Sequence, residues 1–332
     1  MKVLAYGVRP IEKPFFEEAN KEFGYELKLT DKYLTDAAAA QLAEGCDAVI
    51  LRANCKANKE NLDIFKNLGV KYVVTRTAGF NHIDVKYANS LGYTIGYVPA
   101  YSPNSIAELG LTMAMTLLRH TAYANYESYH RDFVVDDFMF SKLIHNCTVG
   151  IIGLGRIGRS YAQMFHGLGA KVIGSDIFQI KGIEDYCTQV SQDEVLAQSD
   201  IVVLQIAYKV GMPVAVTKEF VAKMKDGAIL INCARGELMD VDAVLEGIKS
   251  GKLGGLALDV LPGEGRFFAK NWTYKDLPDP KIAELVNLYP RVLVTPHIGS
   301  FTDESVHNMA LFSYKNIKQL AETGTCDFVA KL

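Results

Sequence analysis

Short apolar runs alternate with amphipathic stretches along the first hundred residues. The apolar runs predict five strands, at residues 3–7, 25–29, 48–51, 72–75 and 94–97. Stretches with one apolar face predict helices between the strands, at residues 14–23, 35–43, 59–68 and 85–91. This alternation is typical of a parallel sheet that is covered by helices on both faces.

Two long helical patterns flank the second half of the chain. Ser102 and Pro103 suit the N-cap and the first position of a helix whose residues 106–118 are apolar nearly all round. A second helix is expected to begin after Thr302, with acidic residues in its first turn, and to end at Gly324. We interpret both helices as connections between two domains.

The region between these helices predicts a second α/β domain. Its strands are expected at 148–152, 171–175, 201–205, 228–232, 256–259 and 292–294. The predicted fold class is α/β, with a Rossmann nucleotide-binding domain at 102–299 inserted into a flavodoxin-like substrate domain at 1–101 and 300–332. Because parallel sheets bind ligands outside the carboxyl ends of their strands, we expect the chemistry in a cleft between the domains.

Residues 148–158 combine a buried strand with a glycine-rich turn that opens a helix. The strand 148–152 runs directly into a Gly-x-Gly-x-x-Gly pattern formed by Gly153, Gly155 and Gly158. The first glycine permits a tight turn, the second lets a pyrophosphate approach the backbone, and the third lets the helix lie close to the strand. The helix N-terminus favours a phosphate group. The pattern therefore predicts a dinucleotide site.

An acidic residue follows the next predicted strand. Asp176 lies 18 residues beyond Gly158, near the spacing of about 20 at which an acid binds the adenosine ribose. A carboxylate there accepts hydrogen bonds from both ribose hydroxyls and repels a 2′-phosphate. We therefore expect NAD rather than NADP as the cofactor.

The overall composition argues against several classes of partner. The 35 Lys and Arg residues nearly balance 38 Asp and Glu residues, for a net charge of −3, and no basic run is present. The charge distribution therefore gives no indication of binding to a nucleic acid or to a membrane surface. The most apolar stretch, 106–118, is too short to span a bilayer. The six cysteines lack CxxC spacing, so we expect no metal site and interpret the chain as cytoplasmic.

Three predicted strands of the second domain end in polar residues of different chemistry. Arg235, Glu264 and His297 follow the strands at 228–232, 256–259 and 292–294. A guanidinium binds a carboxylate through paired hydrogen bonds, and an imidazole exchanges a proton with a carbonyl oxygen. A carboxylate on the second imidazole nitrogen fixes its tautomer and raises its pKa. Together these groups suit the reduction of a 2-oxo acid, although each alone also has an ordinary structural interpretation.

Four segments resemble the signature segments of the D-isomer-specific 2-hydroxyacid dehydrogenases. They are residues 150–158, 232–236, 259–264 and 295–297, and the similarity extends over essentially the whole chain. Within that family the chain resembles the subgroup of D-lactate, D-2-hydroxyisocaproate and (R)-2-hydroxyglutarate dehydrogenases, and most of all the last. The resemblance implies NAD-dependent interconversion of a 2-oxo acid and its (R)-2-hydroxy acid by a homodimer, with residues 121–146 at the subunit interface.

The resemblance also implies individual roles. His297 is implied to be the acid/base, Glu264 its partner, and Arg235 the group that binds the substrate carboxylate and carbonyl. Substrate contacts are also implied for the backbone of Ala78 and Gly79 and for Tyr101. The implied cofactor contacts, beyond the three glycines and Asp176, are Arg156, Ile157, Ile206, Ala207, Cys233, Ala234, Arg235 and Asp259.

Two segments depart from the family pattern. Gln205-Ile206-Ala207 stands where the family often has His-x-Pro, which loosens the expected wall of the adenosine and phosphate pocket. Ala100 precedes Tyr101, so the charge for a distal substrate group would have to come from elsewhere.

Arg52 is the candidate source of that charge, because it follows the strand 48–51. A second fixed cation would suit a dicarboxylate, so 2-oxoglutarate is the expected substrate. Two alternatives remain open at this point. Arg52 could pair with a protein acid, which would favour pyruvate, phenylpyruvate or 2-oxoisocaproate, or the chain could be a non-enzymatic NAD(H)-sensing regulator related to the C-terminal-binding corepressors.

Overall fold

A computed structural model describes residues 1–331, which form two compact units. Unit 1 contains Met1–Ser102 together with the stretch that starts at Phe301, and unit 2 contains Pro103–Ser300. Each unit is built on one parallel sheet, so the predicted α/β class is confirmed. The final residue of the predicted substrate domain, Leu332, lies outside the described residues.

Unit 1 has a five-stranded sheet in the order β2-β1-β3-β4-β5, which is the flavodoxin-like order. Its strands are β1 (Lys2–Ala5), β2 (Glu26–Leu29), β3 (Ala48–Leu51), β4 (Tyr72–Thr75) and β5 (Ile95–Gly96). Its helices are α1 (Lys13–Asn20), α2 (Ala37–Ala40), α3 (Lys59–Asn67), α4 (Val85–Ser90) and the last helix of the chain, α12 (Asp303–Thr323).

Side chains alternate between the two faces of this sheet. Ile50 and Val74 pack on the face that α1 and α12 cover, whereas Val49 and Val73 pack on the opposite face. The register places the ends of β1, β3 and β4 at one edge. The segments that begin at Arg52 and Arg76 therefore leave the sheet from the same edge.

Unit 2 has a seven-stranded sheet in the order β12-β11-β10-β9-β6-β7-β8. Its strands are β6 (Thr148–Ile152), β7 (Lys171–Ser175), β8 (Thr188–Gln189), β9 (Ile201–Leu204), β10 (Ala228–Asn232), β11 (Leu253–Leu258) and β12 (Val292–Val294). Its helices are α5 (Pro103–Leu118), α6 (Thr121–Tyr129), α7 (Arg156–Gly167), α8 (Gln192–Gln198), α9 (Lys218–Lys223), α10 (Val241–Ser250) and α11 (Pro280–Val286).

The carboxyl ends of five neighbouring strands of unit 2 are in register. Ile152 pairs with Leu204, Leu204 with Asn232, Asn232 with Leu258, and Leu258 with Val294. The glycine loop and the loops that carry the predicted catalytic residues consequently emerge at one edge of one sheet. This register is what brings residues that are far apart in the sequence close together.

The segment 121–146 and strand β8 were the least predictable parts of unit 2. The segment contains α6, followed by single 3₁₀ turns at Asp137–Met139 and Ile144–Asn146. Strand β8 has two residues, which is too short for a periodic pattern to reveal. Within residues 1–331, no helix is both long and apolar enough to cross a membrane.

Candidate active site

The glycine loop after β6 brings backbone segments into very close contact. Gly153 has φ +99°, and a Cβ atom there would lie 2.4 Å from the main-chain oxygen of Gln205. A Cβ atom on Gly158 would lie 1.9 Å from the main-chain oxygen of Gly153. Both positions therefore require glycine for packing within the protein. At Gly155 a Cβ atom would meet no protein atom within 4 Å, so this glycine faces open space.

The start of α7 offers an anion site beside that open space. Gly155 is the N-cap, so no side chain satisfies the first N–H groups of the helix, which Arg156 and Ile157 begin. The Asp176 carboxylate accepts hydrogen bonds from the N–H of Leu154 (2.7 Å) and of Phe178 (3.0 Å). These contacts fix an acid beside the glycine loop. The residues present therefore fit a pyrophosphate at the helix and a ribose at Asp176.

Ile206 and Ala207 lie in the loop after β9, next to the glycine loop. The N–H of Gln205 continues the sheet by donating to the oxygen of Ile152 (2.8 Å). The Gln205 side-chain oxygen is buried and, within residues 1–331, has no hydrogen-bond partner. At this departure from the family pattern the structure therefore holds a buried acceptor without a donor among the described residues, which is uncommon in folded proteins.

The loop that carries Arg235 folds around the side chain of Asn232, the fully buried last residue of β10. Asn232 accepts a hydrogen bond from the N–H of Ala234 and donates one to the oxygen of Arg235, both at 3.0 Å. Cys233 and Ala234 are buried in this loop. The Arg235 guanidinium donates to the oxygen of Ala234 (2.7 Å), and no acid among the described residues lies within 4.0 Å of it. It is therefore a held cation without an anionic partner.

His297 and Glu264 form a hydrogen-bonded pair, with 2.5 Å between Nδ1 of His297 and Oε1 of Glu264. His297 has φ +55°, a left-handed conformation that residues other than glycine adopt infrequently. Its N–H donates to the oxygen of Thr295 (2.9 Å), which tightens the turn. The unusual backbone needs support from its surroundings.

Asp259 supplies that support. Its carboxylate, on a side chain only 2% exposed, accepts hydrogen bonds from the Thr295 hydroxyl (2.6 Å) and from the N–H groups of Ile298 and Gly299 (2.8 Å each). Burial raises the pKa of Asp259, and the three donors oppose that shift. Asp259, for which the family pattern implies a cofactor contact, therefore also holds the turn that carries His297.

The charges around His297 set its proton affinity. Burial lowers the pKa of the imidazole, but the hydrogen bond to Glu264 and its charge, with a contribution from Asp259, raise the pKa above its ordinary value. The charge of Arg235 acts in the opposite direction, so Arg235 lies within electrostatic reach of His297. The three predicted catalytic residues are thus brought together in unit 2. They combine a protonatable imidazole, its carboxylate partner and a free cation.

Arg52 in unit 1 already has partners within the protein. Its guanidinium donates to the oxygen of Gly7 (3.1 Å) and lies 3.4 Å from the carboxylate of Glu12. The same carboxylate binds Arg76, which is 1% exposed, at 3.0 Å. Glu12 is thus the protein acid of the alternative interpretation, and a contact between Arg52 and the substrate stays a prediction.

Of the other predicted substrate residues of unit 1, Ala78 and Gly79 follow the end of β4, and Tyr101 follows β5. Within residues 1–331, the N–H groups of Ala78, Gly79 and Phe80 donate to no protein acceptor. Three free N–H groups in one loop can bind a carboxylate. Tyr101 is half-buried, and its main-chain oxygen accepts a hydrogen bond from Asn308 (2.6 Å).

Sequence reasoning assigned no role to Asn232 or Thr295, although both lie in the quoted segments. A buried amide or hydroxyl at the end of an apolar strand is the signal that points to them, because a buried polar group requires partners. No cluster of metal-binding side chains is present in residues 1–331, and the six cysteines there form no disulfide.

Comparisons with known proteins match this chain in sequence and in fold. Residues 111–299 match the model of the D-isomer specific 2-hydroxyacid dehydrogenase NAD binding domain. The chain is 38% identical to an aromatic 2-oxoacid reductase of Clostridium sporogenes, with 98% of each chain covered. It is 37% identical to a D-lactate dehydrogenase of Lactiplantibacillus plantarum, covering 100% of this chain and 99% of that protein. A solved NAD complex of a D-isomer specific 2-hydroxyacid dehydrogenase from Lactobacillus delbrueckii ssp. bulgaricus superimposes with a TM-score of 0.86, at 34% identity and full coverage of both chains.

Proposed function

The chain belongs to the D-isomer specific 2-hydroxyacid dehydrogenase family, and on this premise we propose that it reduces a monocarboxylic 2-oxo acid to its (R)-2-hydroxy acid. Membership of the family makes it an NAD-dependent oxidoreductase. The enzymatic interpretation is thereby confirmed over that of a non-enzymatic regulator. The observation that carries the choice of substrate is the pairing of Arg52 with Glu12.

The roles of the catalytic side chains follow from their contacts. Bound NADH supplies the hydride. Protonated His297 gives its proton to the substrate oxygen, while Glu264 holds the imidazole through Nδ1 and leaves Nε2 for the substrate. Arg235, which has no acidic partner among the described residues, binds the substrate carboxylate and polarises the carbonyl. Because its carboxylate is held in one orientation, the substrate presents one face of its carbonyl carbon to the hydride. A single enantiomer of the product results.

A monocarboxylate needs only one fixed cation. Arg235 meets that need, and Arg52 is already neutralised in part by Glu12. The relatives named above are an aromatic 2-oxoacid reductase and a D-lactate dehydrogenase, and a D-2-hydroxyisocaproate dehydrogenase structure also matches with a TM-score of 0.90. Pyruvate, phenylpyruvate and 2-oxoisocaproate are therefore the substrates that we place first.

2-Oxoglutarate is the second candidate, and the charge balance of unit 1 favours it. Two guanidinium groups, those of Arg52 and Arg76, share the single carboxylate of Glu12, which leaves one positive charge in excess. The shorter contact is made by Arg76, whereas the Arg52 side chain is 20% exposed. Arg52 could therefore accept a second carboxylate without losing Glu12.

A substrate panel with the Arg52→Ala variant separates the two candidates. If the substrate is a monocarboxylate, wild-type kcat/KM is lowest for 2-oxoglutarate, and the variant shifts KM for every acid by a similar small factor. If Arg52 binds a distal carboxylate, KM for 2-oxoglutarate rises about 10- to 100-fold and KM for pyruvate does not. Steady-state NADH oxidation measures these values, with Arg52→Lys as the variant that retains the charge. No turnover of any acid would contradict the proposed function.

We further propose that the chain forms a homodimer through the segment 121–146. This segment carries side chains that are among the most exposed large apolar residues of the chain: Tyr129, Phe133, Val134, Val135 and Phe140. Such a contiguous apolar stretch is unusual on a monomer and is typical of an interface. Sedimentation equilibrium is expected to give twice the chain mass of 36.6 kDa. A single-chain mass at micromolar concentration would contradict the proposal.

A further inference from the structure

A continuous line of hydrogen bonds runs beneath the loop that follows β4. The hydroxyl of Thr75, the buried last residue of β4, lies 3.1 Å from Nε2 of His82 and 2.8 Å from the hydroxyl of Thr77. The hydroxyl of Thr77 in turn lies 2.7 Å from the main-chain oxygen of Gly79. Three side chains thus connect His82 to the backbone of the loop.

The chemistry of these groups fixes the direction of the line. A carbonyl oxygen can only accept, so Thr77 must give its single proton to Gly79. The hydroxyl of Thr77 must then accept at 2.8 Å, which makes Thr75 the donor of that bond. Because the proton of Thr75 is used there, Nε2 of His82 must carry a proton and donate to Thr75. The hydroxyl of Thr75 also lies 3.3 Å from the oxygen of Leu51, which is the longest of its contacts. Thr75 has one proton, and giving it to Thr77 is the arrangement that satisfies the three shorter contacts together.

His82 is a firm starting point for this line. Burial lowers its pKa to about 4, so the imidazole is neutral at physiological pH and one ring nitrogen carries the proton. Its main-chain oxygen accepts from the N–H of Ala57 (2.9 Å), and Ala57 accepts from the N–H of Asp84 (2.9 Å). The residue is therefore anchored from its backbone as well as from its ring.

The end of the line controls which way the loop backbone faces. In a trans peptide the C=O and the following N–H point in opposite directions. Holding the oxygen of Gly79 against Thr77 therefore turns the N–H of Phe80 away from Thr77. Glycine would otherwise leave this peptide free to rotate. The N–H groups of Ala78, Gly79 and Phe80, like those of the flanking loop residues, donate to no protein acceptor within residues 1–331.

We propose that Thr75, Thr77 and His82 are positioning residues that aim the N–H groups of loop 78–80 at the carboxylate of the substrate. The inference rests on the proposed function, because the anion is the carboxylate of the 2-oxo acid. The line of hydrogen bonds sets the binding of the acid. These hydrogen bonds take no part in the proton transfer.

The Thr77→Val variant, which keeps the shape and removes the hydroxyl, tests this inference. KM for the preferred 2-oxo acid is expected to rise about tenfold, with kcat changed less than about twofold and the Kd of NADH unchanged. Thr75→Val should raise KM in the same way, whereas Thr75→Ser keeps the hydroxyl and should keep the wild-type KM. The double variant Thr75→Val/Thr77→Val should have a KM no higher than that of either single variant. Thr94→Val, a change of the same kind before β5, is the matched control.

An unchanged KM in a folded Thr77→Val protein would overturn the inference, since a merely structural hydroxyl lowers Tm without changing KM. Long-range proton–nitrogen NMR of His82 provides a readout that does not depend on turnover. A proton on Nε2 is expected, and a proton on Nδ1 alone would also overturn the inference. If the wild-type protein turns over no 2-oxo acid, the proposed function fails, and the NMR result still decides whether the line of hydrogen bonds exists.

Discussion

Replacement of His297 by glutamine is expected to lower kcat for 2-oxo acid reduction about 10³-fold. Glutamine can still donate a hydrogen bond to the substrate oxygen, but it cannot give up a proton at neutral pH. The left-handed backbone of the turn is held by Asp259 through Thr295, Ile298 and Gly299, so the loop should keep its shape. Pre-steady-state and steady-state NADH oxidation measure the loss, and a fluorescence titration should show unchanged NADH binding.

Glu264→Gln provides the contrast to this variant. The amide can still contact Nδ1 of His297 but carries no charge, so the factor that raises the pKa of His297 is weakened. Reduction requires the protonated imidazole, and kcat/KM is therefore flat below that pKa and falls as the pH rises through it. The alkaline limb should move to lower pH in the variant. A residual rate in His297→Gln within tenfold of wild type, or an unmoved limb in Glu264→Gln, would remove His297 as the acid.

Replacement of Arg235 by lysine is expected to lower kcat/KM about 10²- to 10³-fold, although the positive charge is retained. An ammonium group cannot make two parallel hydrogen bonds to a carboxylate, and it lacks the planar fork that also reaches the carbonyl oxygen. The guanidinium has no acid within 4.0 Å among the described residues, so the change breaks no ion pair inside the protein. The loss therefore measures substrate binding and orientation.

Rescue by added guanidinium checks that interpretation. Arg235→Ala should regain part of its kcat/KM when guanidinium chloride is supplied at concentrations well below those that unfold the protein, whereas Arg235→Lys should not. Ethylammonium is the matched control, because it has the charge without the fork. A fivefold or smaller loss in Arg235→Lys would contradict the role of the paired hydrogen bonds.

The sequence alone determined the nucleotide loop and singled out the candidate catalytic groups, because both depend on the chemistry of the residues themselves. Gly158 is required by a contact with Gly153 in the same short loop, and the motif marks Gly153 as well, although the segment that contacts Gly153 contains Gln205 and lies far along the chain. Arg235, Glu264 and His297 follow strands whose apolar runs are strong, and parallel register brings such ends to one edge. Most strand bounds were predicted to within a residue or two for the same reason.

Only the tertiary structure decided which polar groups satisfy one another. The partner of Arg52, Glu12, comes from a segment 40 residues earlier, and the donors to Asp259 come from a loop about 40 residues later. No periodic pattern encodes such pairs, since a buried charge needs a partner but does not specify where in the sequence that partner lies. The substrate preference depends on these pairings. The reaction could therefore be predicted from the residues themselves. Which cationic side chains have no acidic partner in the protein, and so can bind a substrate carboxylate, had to be found in the folded chain.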